Sequence, residues 1–309
     1  MNFRLGTRGS ALALAQTDIF VQEFLRKHPG TTVEVCQITT TGDLGQGMPR
    51  RVNADKKDWI HELELALISG EIDFALHSGK DVPCDIHPET TLIPVLERED
   101  PRDLFIGKLV DGGGRLSFYD LHHGAAIGTG SLRRKAQLKQ LRKDLRVTDF
   151  RGNVPTRIRK LDEDSSIDGI VIAAAGVQRL SGCGVSGVPF SVTEVLPAVN
   201  QGILVVQVRG DNVPLIEKVQ LLSSEALQCV FHAERAVIEV LEGDCRSAIG
   251  AFAELSGEGL EVFGKVCSQD GDIALSASAK GAIDHARSLG IKVGQELLGQ
   301  GADRLLRAV

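Results

Sequence analysis

At 309 residues, with 42% hydrophobic and 25% charged residues, the chain is long enough for several hydrophobic cores and too apolar to be a disordered polymer. No run of about eighteen apolar residues occurs, and the start MNFRLGTRGSALALAQ lacks the apolar stretch of an export signal, so a cytoplasmic protein outside membranes is expected. The net charge of −6 speaks against a general nucleic-acid binder. The six scattered cysteines, with no CxxC pair and no histidines at ligand spacing, speak against a structural metal or a disulfide framework.

In chain order, residues 3–7 read as a strand. Ser10 then caps a helix with apolar positions at Leu12, Ala15, Ile19 and Leu25, which HisProGly at 28–30 ends. Residues 32–39 read as a strand, a polar stretch over 40–57 as a long functional loop, and 59–68 as a helix. A short apolar strand at 72–76 delivers HSGKDVP, residues 77–83, to an edge of the fold, and another strand follows at 92–96. EREDPRD, 97–103, reads as a hinge or domain crossover.

A second set of strand and helix units follows, with strands near 125–127, 146–150 and 169–173 and a helix over 156–161. LPAVNQGILVVQVR, 196–209, reads as a strand-rich return and 214–241 as charged helix. Strands alternating with turns over 248–280 and a last helix at 282–298 read as a small α+β domain.

Two segments, GTRGSALAL at 6–14 and GTGSLRRKAQL at 128–138, run from a strand through a small turn into a helix start. Free backbone N–H groups and the positive dipole end make such a start an anion site, and an arginine adds a bidentate fork. The dipole makes a cation there slightly unfavourable, so Arg133 and Arg134 call for a compensating ligand. Neither GxxxxGK[ST] nor a helix-opening GxGxxG is present, which leaves carboxylates as an attractive partner.

Between 133 and 160 lie eleven Lys or Arg against Asp144 and Asp149, a segment read either as a solvated helix face or as the footprint of an anionic partner. With Phe150 as its one aromatic it lacks a nucleic-acid stacking platform. Arg151 and Arg157, flanking a glycine and asparagine turn, can converge on one cleft. Asp81 is the best candidate acid, base or cation stabiliser, and Lys80 can bind an anion or act as a nucleophile. His77 reads as a core histidine, and Cys245 in EGDCRSAIG sits on a turn between a helix and a strand.

Over essentially the whole chain these segments resemble the porphobilinogen deaminase (hydroxymethylbilane synthase) family. The matching stretches are LGTRGSALALAQ, HSGKDVP, EREDPRD, GTGSLRRKAQL, RGNVPTR, AAAGVQRL, LPAVNQG, HAERA and GDCRSAIGA. The resemblance implies two α/β domains of the type II periplasmic-binding-protein kind around a cleft. They would span 1–101 with 196–215, and 102–195, followed by a small α+β domain over 216–309 that carries a cysteine loop.

It also implies a monomeric transferase that joins four porphobilinogen molecules head to tail with loss of ammonia, making the linear tetrapyrrole of porphyrin biosynthesis. That reaction runs on a dipyrromethane cofactor held through Cys245. Arg8, Arg133, Arg134, Arg151, Arg157 and Arg179 match the family's carboxylate-binding arginines; Ser10, Ser131 and Lys80 match further cofactor and substrate contacts, and Asp81 matches the catalytic aspartate.

Departures from the family pattern are local. ADKKDW, with Lys57, replaces a glycine-rich run; Asn200 and Asp244 replace glycines, and both residue types tolerate a left-handed backbone. Arg246 follows the cysteine, Pro155 in NVPTR replaces a glycine, and Gly79 stands where the family has methionine. The competing expectation is a divergent, non-catalytic two-domain module for a small carboxylate.

Overall fold

The structure is a computed structural model that describes residues 1–40, 60–110, 112–180, 184–243, 247–257 and 259–307. The expected loop from 41 to 57, Trp59, and the turn 244–246 with Asp244, Cys245 and Arg246 lie outside these residues.

The first unit runs β1 (Asn2–Thr7), α1 (Ala11–Lys27), β2 (Thr32–Gln37), α2 (His61–Ile68), β3 (Phe74–Ser78) and β4 (Thr90–Val95). The chain then enters a second unit of β5 (Asp103–Gly107), β6 (Ala126–Gly128), α3 (Leu132–Leu141), β7 (Arg146–Thr148), α4 (Val154–Glu163), β8 (Gly169–Ala173), α5 (Ala174–Gln178) and β9 (Val188–Pro189). It returns to the first sheet as β10 (Leu204–Arg209).

The two five-stranded sheets share one design. Their orders are β2-β1-β3-β10-β4 and β7-β6-β8-β5-β9. In each, four strands run in one direction, three of them adjacent, while a crossing strand, β10 or β5, lies antiparallel between these three and the edge strand. The mixed α/β class expected from the sequence is therefore present twice.

Beyond β10 come α6 (Val213–Gln220) and α7 (Glu225–Val240), then an antiparallel meander of β11 (Ile249–Ser256), β12 (Gly259–Cys267) and β13 (Ala274–Ala282), and finally α8 (Ala286–Gly299) and α9 (Ala302–Arg307). Valines and leucines of α7 and α8 pack on this small sheet, with Val237, Val262, Val293 and Leu297 wholly buried. It is the α+β unit read from the alternation of strands and turns.

Several boundaries differ from expectation. The charged stretch 214–241 is two helices, because Ser224 starts a new one by accepting from the Leu227 N–H at 3.2 Å. The last long helix begins at Ala286, after a 3-10 turn at Ile283–His285. Only the second half of 196–209 is a strand; the first half is an irregular segment that holds Asn200 at φ 57°.

The face of α1 also differs. Ser10 caps it as expected, accepting from the Ala13 N–H at 3.2 Å. The buried side, however, is Gln16, Thr17, Phe20 and Phe24, while Ile19 is 38% exposed. Phe20 meets Phe74 of β3 edge-on and Phe24 meets it tilted, at centroid distances of 5.8 and 5.5 Å, and Phe3 adds an edge contact to Phe24 at 5.9 Å. Two aromatic rings at i and i+4 bury more apolar area than the aliphatic stripe beside them, so they set the helix orientation. Phe24→Ala should therefore lower unfolding free energy in urea by about 3–5 kcal/mol, whereas Ile19→Ala should cost less than about 1 kcal/mol.

Candidate functional site

The carboxyl ends of the parallel strands in both sheets open on one cleft, where ligands of open α/β sheets are held. Its walls are Leu12 and Gln16 of α1, Ser78 to Lys80, the start of α5 with Arg179, and Asn200, Gly202 and Ile203 of the return segment.

HSGKDVP lies at the centre because β3 is buried on both faces and sits between β1 and β10. His77 is buried, and its Nε2–H donates to Gln207 Oε1 at 3.1 Å. Burial pushes its imidazole down to about 4, so it stays neutral and serves as a core histidine. Ser78 Oγ and the Gln16 side-chain amide lie 3.1 Å apart across the wall. The chain then tightens into a 3-10 turn, Gly79–Asp81, pinned by the Gly79 N–H donating to Ile203 O at 2.8 Å.

Lys80 is half-buried. Burial pushes its ammonium down to about 8, Asp81 beside it opposes that shift, and Arg134 adds to it. Asp81 is half-buried as well, and among the described residues its carboxylate makes no hydrogen bond, although it lies close enough to His77, Lys80 and Arg157 to influence their charges.

Arg133 and Arg134, expected to call for a compensating ligand, have an internal counter-ion. Ser131 caps α3, accepting from the Arg134 N–H at 3.4 Å, and both arginines turn inward to the wholly buried Asp103 that opens β5. Arg133 Nη1 lies 2.7 Å from Asp103 Oδ2 and also donates to Leu196 O at 2.6 Å. Arg134 reaches Asp103 Oδ1 through Nε at 2.9 Å and Nη2 at 2.8 Å, and donates to Val171 O at 3.2 Å. Burial alone would push the Asp103 carboxyl up; the two guanidiniums outweigh it and hold the group well below the usual carboxylate range. Two cations on one carboxylate still leave this cluster positive.

The remaining cations divide. Arg157 is half-buried and donates through Nε to Gly152 O at 2.6 Å; Arg179 is buried and donates through Nη2 to Gly202 O at 2.6 Å. Burial pushes each down to about 10, Arg134 adding to the shift of Arg157, and Glu99 opposing that of Arg179. Arg8 is half-buried, near enough to His77 to disfavour its protonation. Ser10 presents its hydroxyl at the start of α1. Arg151, by contrast, is exposed and bound to Asp149 at 2.8 Å, and it lies near enough to Arg157 to add to the lowering of that group's pKa. Arg142 and Arg159 are likewise paired, with Asp144 and Glu163, which resolves much of the basic run into surface ion pairs.

Lys80 and Arg179 line this cleft, and Arg133, Arg134 and Arg157 lie behind it near Lys80 or Asp81, five cations against Asp81, Asp103 and Glu99. Desolvated cations in excess fit a ligand with several carboxylates, as a dipyrromethane bears. Cys36, Cys229 and Cys267 have thiols pushed up by burial, which makes them poor nucleophiles. Among the described residues no cluster of His, Cys, Asp or Glu could hold a metal ion, and no helix is long and apolar enough to cross a membrane.

Two groups escaped the sequence reading. Asp103 was visible only as the end of a charged hinge, though an acid opening the wholly apolar strand LFIG was a signal of a buried counter-ion. Glu234, inside HAERA, is wholly buried; it takes the Arg98 guanidinium at 2.6 Å, the Asn200 N–H at 2.6 Å and the Ala253 N–H at 2.8 Å.

Two α/β lobes around a desolvated, cation-rich cleft define a binder of polyanionic small molecules. The model of the porphobilinogen deaminase dipyromethane cofactor binding domain matches residues 3–217, and that of the porphobilinogen deaminase C-terminal domain matches 227–299. A porphobilinogen deaminase of Geobacter sulfurreducens is 38% identical over 306 residues, 99% of this chain and 94% of that protein. One of Roseiflexus castenholzii is 39% identical over 308 residues, 98% and 97% respectively. Among solved structures, an ancestral cationic amino acid solute binding protein aligns at 15% identity with a TM-score of 0.43, over 72% of this chain and 87% of that one. The chain belongs to the porphobilinogen deaminase family.

Replacing Asp103 by Asn leaves two guanidiniums without their counter-charge and should cost about 3–5 kcal/mol in urea unfolding. Lys80→Met should raise the thermal midpoint of the cofactor-free protein at pH 7. Because the folded lysine titrates near 8 and the unfolded one near 10.5, the wild type is relieved of its buried charge as pH rises through that window, and the difference should shrink there.

Proposed function

We propose that the cleft joins four porphobilinogen molecules head to tail, releasing ammonia at each addition, and then releases hydroxymethylbilane by adding water. The observation that carries the assignment of roles is Asp81: a carboxylate without a hydrogen-bond partner among the described residues, at the end of β3, flanked by the ammonium of Lys80 and near the guanidinium of Arg157. Family membership supports the reaction itself.

A dipyrromethane bound through a thioether to Cys245, when present, supplies the free pyrrole α-carbon to which the first substrate is joined. The protein's part is electrostatic. Loss of ammonia breaks the aminomethyl C–N bond of porphobilinogen and leaves a methylene-pyrrolenine cation, whose ring N–H the Asp81 carboxylate accepts while its charge stabilises the cation. Addition of each methylene to a pyrrole would displace that ring's α-proton. Asp81, beside the site of charge development, is the group placed to hold or relay that proton.

Lys80, Arg157 and Arg179 bind the acetate and propionate groups, with Arg8 and the hydroxyls of Ser10 and Ser131 at the two helix starts. Arg133 and Arg134 lend the positive field of their cluster, and Arg133 retains N–H groups with which to meet a carboxylate. Arg151 takes part only by leaving Asp149. Excluding bulk water from this pocket strengthens each of these interactions. We further infer a cytoplasmic monomer without a nucleic-acid partner, in keeping with the pairing of Arg142, Arg151 and Arg159 to acids.

Ammonia release from porphobilinogen checks the assignment. Asp81→Asn should retain the circular dichroism of the wild type and lose about 10²–10⁴-fold in turnover; near wild-type release would remove Asp81 from the chemistry. Cys245→Ser should fold and yet release almost no ammonia. Porphobilinogen binding to the wild type without any ammonia would instead favour a non-catalytic carboxylate module.

A further inference from the structure

Asn200 breaks two rules at once. Its φ is 57°, in the left-handed region that glycine enters most easily, and it is wholly buried with neither Oδ1 nor Nδ2 of its carboxamide hydrogen-bonded. Asparagine tolerates such a backbone better than most residues, but glycine would remove both liabilities. The backbone here is held firmly regardless, because the Asn200 N–H donates to Glu234 Oε2 at 2.6 Å. The amide thus takes no hydrogen bond from the fold, and Asn200 is one of the residues that line the cleft, with Lys80 and Arg179 among the others.

The space it fills is shared. A Cβ added at Gly79 would lie 3.0 Å from the Asn200 Cβ, 3.1 Å from Asn200 O and 3.2 Å from Ile203 O. A side chain at 79 would meet both the Asn200 side chain and the backbone carbonyls of the return segment at the cleft wall; in this chain a polar group stands there from the return segment, while the 3-10 turn contributes none. Buried polar atoms left unpaired inside a cleft of cations mark a position kept for a ligand at the expense of stability.

We propose that the Asn200 carboxamide is a specificity-determining contact, its Nδ2–H donating to a carboxylate of a pyrrole bound in the cleft, beside Lys80 and Arg179. The inference rests on the porphobilinogen reading above. It makes this chain's pocket a reader of one side-chain carboxylate through a neutral donor, where added cations would carry a larger desolvation cost.

Steady-state kinetics with porphobilinogen, together with thermal unfolding with and without porphobilinogen, test it on protein whose intact mass includes the dipyrromethane. Asn200→Gly should unfold at the wild-type temperature or above, yet raise KM about 10-fold or more, as expected for a lost hydrogen bond to a charged group, and shrink the temperature rise that porphobilinogen confers. Asn200→Asp, isosteric but anionic, should raise KM further than Asn200→Gly does. An unchanged KM and unchanged porphobilinogen-induced rise in Asn200→Gly overturn the contact, as does a lowered unfolding temperature with KM intact, which is the mark of a structural residue. An Asn200→Asp KM at or below that of Asn200→Gly overturns the carboxylate as its partner. A wild type that neither turns over nor is stabilised by porphobilinogen overturns the underlying function and this contact with it.

Discussion

The two lobes are joined where the chain crosses between them, and both crossings are held by carboxylates sealed away from water. Asp103 starts β5, gathers Arg133 and Arg134 from α3, and accepts from Gln201 Nε2 at 3.0 Å. Glu234 joins Arg98 of the outgoing crossing to Asn200 of the return and to Ala253 of the small third sheet. Burial pushes the Glu234 carboxyl up, and Arg98 with two backbone N–H groups opposes it. A buried charge with all its partners is tolerable, whereas removing one partner leaves an uncompensated ion in a low dielectric. The cleft is therefore framed by groups whose positions are over-determined, which is what a site that must align successive substrates requires.

That frame explains how so many cations can line one cleft. Burial, which Asp81, Asp103 and Glu99 oppose only in part, leaves Lys80, Arg157 and Arg179 below their ordinary pKa values. Their charged forms are held against burial, so a ligand that brings several carboxylates gains more from them than it would from solvated arginines. Exposed Arg151, satisfied by Asp149, shows the contrast: its contribution depends on the geometry of a surface pair that salt and water weaken.

Much of this was legible in the residues. Ser10 and Ser131 cap the two helix starts, the apolar strand does deliver HSGKDVP to the cleft, and both sheets follow from the alternation of strand and helix. What the chain pattern hid were pairings between distant segments: Asp103 with α3 is about thirty residues away along the chain, and no local period marks it. The face of α1 was misread because four aliphatic residues at helical spacing outnumber two phenylalanines, although the phenylalanines bury more area. Gly79, unaccountable in isolation, gains a reason from the return segment, where the Asn200 Cβ and the backbone oxygens of Asn200 and Ile203 would lie 3.0 to 3.2 Å from an added Cβ.

The most direct measurement of the central claim is the intact mass of the protein as isolated, followed by the mass of the peptide that contains Cys245. A polycarboxylate pyrrole cofactor in this cleft requires the mass to exceed that of the sequence by a dipyrromethane, with the addition on the Cys245 peptide. A folded protein at the bare sequence mass, unchanged after incubation with porphobilinogen, would contradict it.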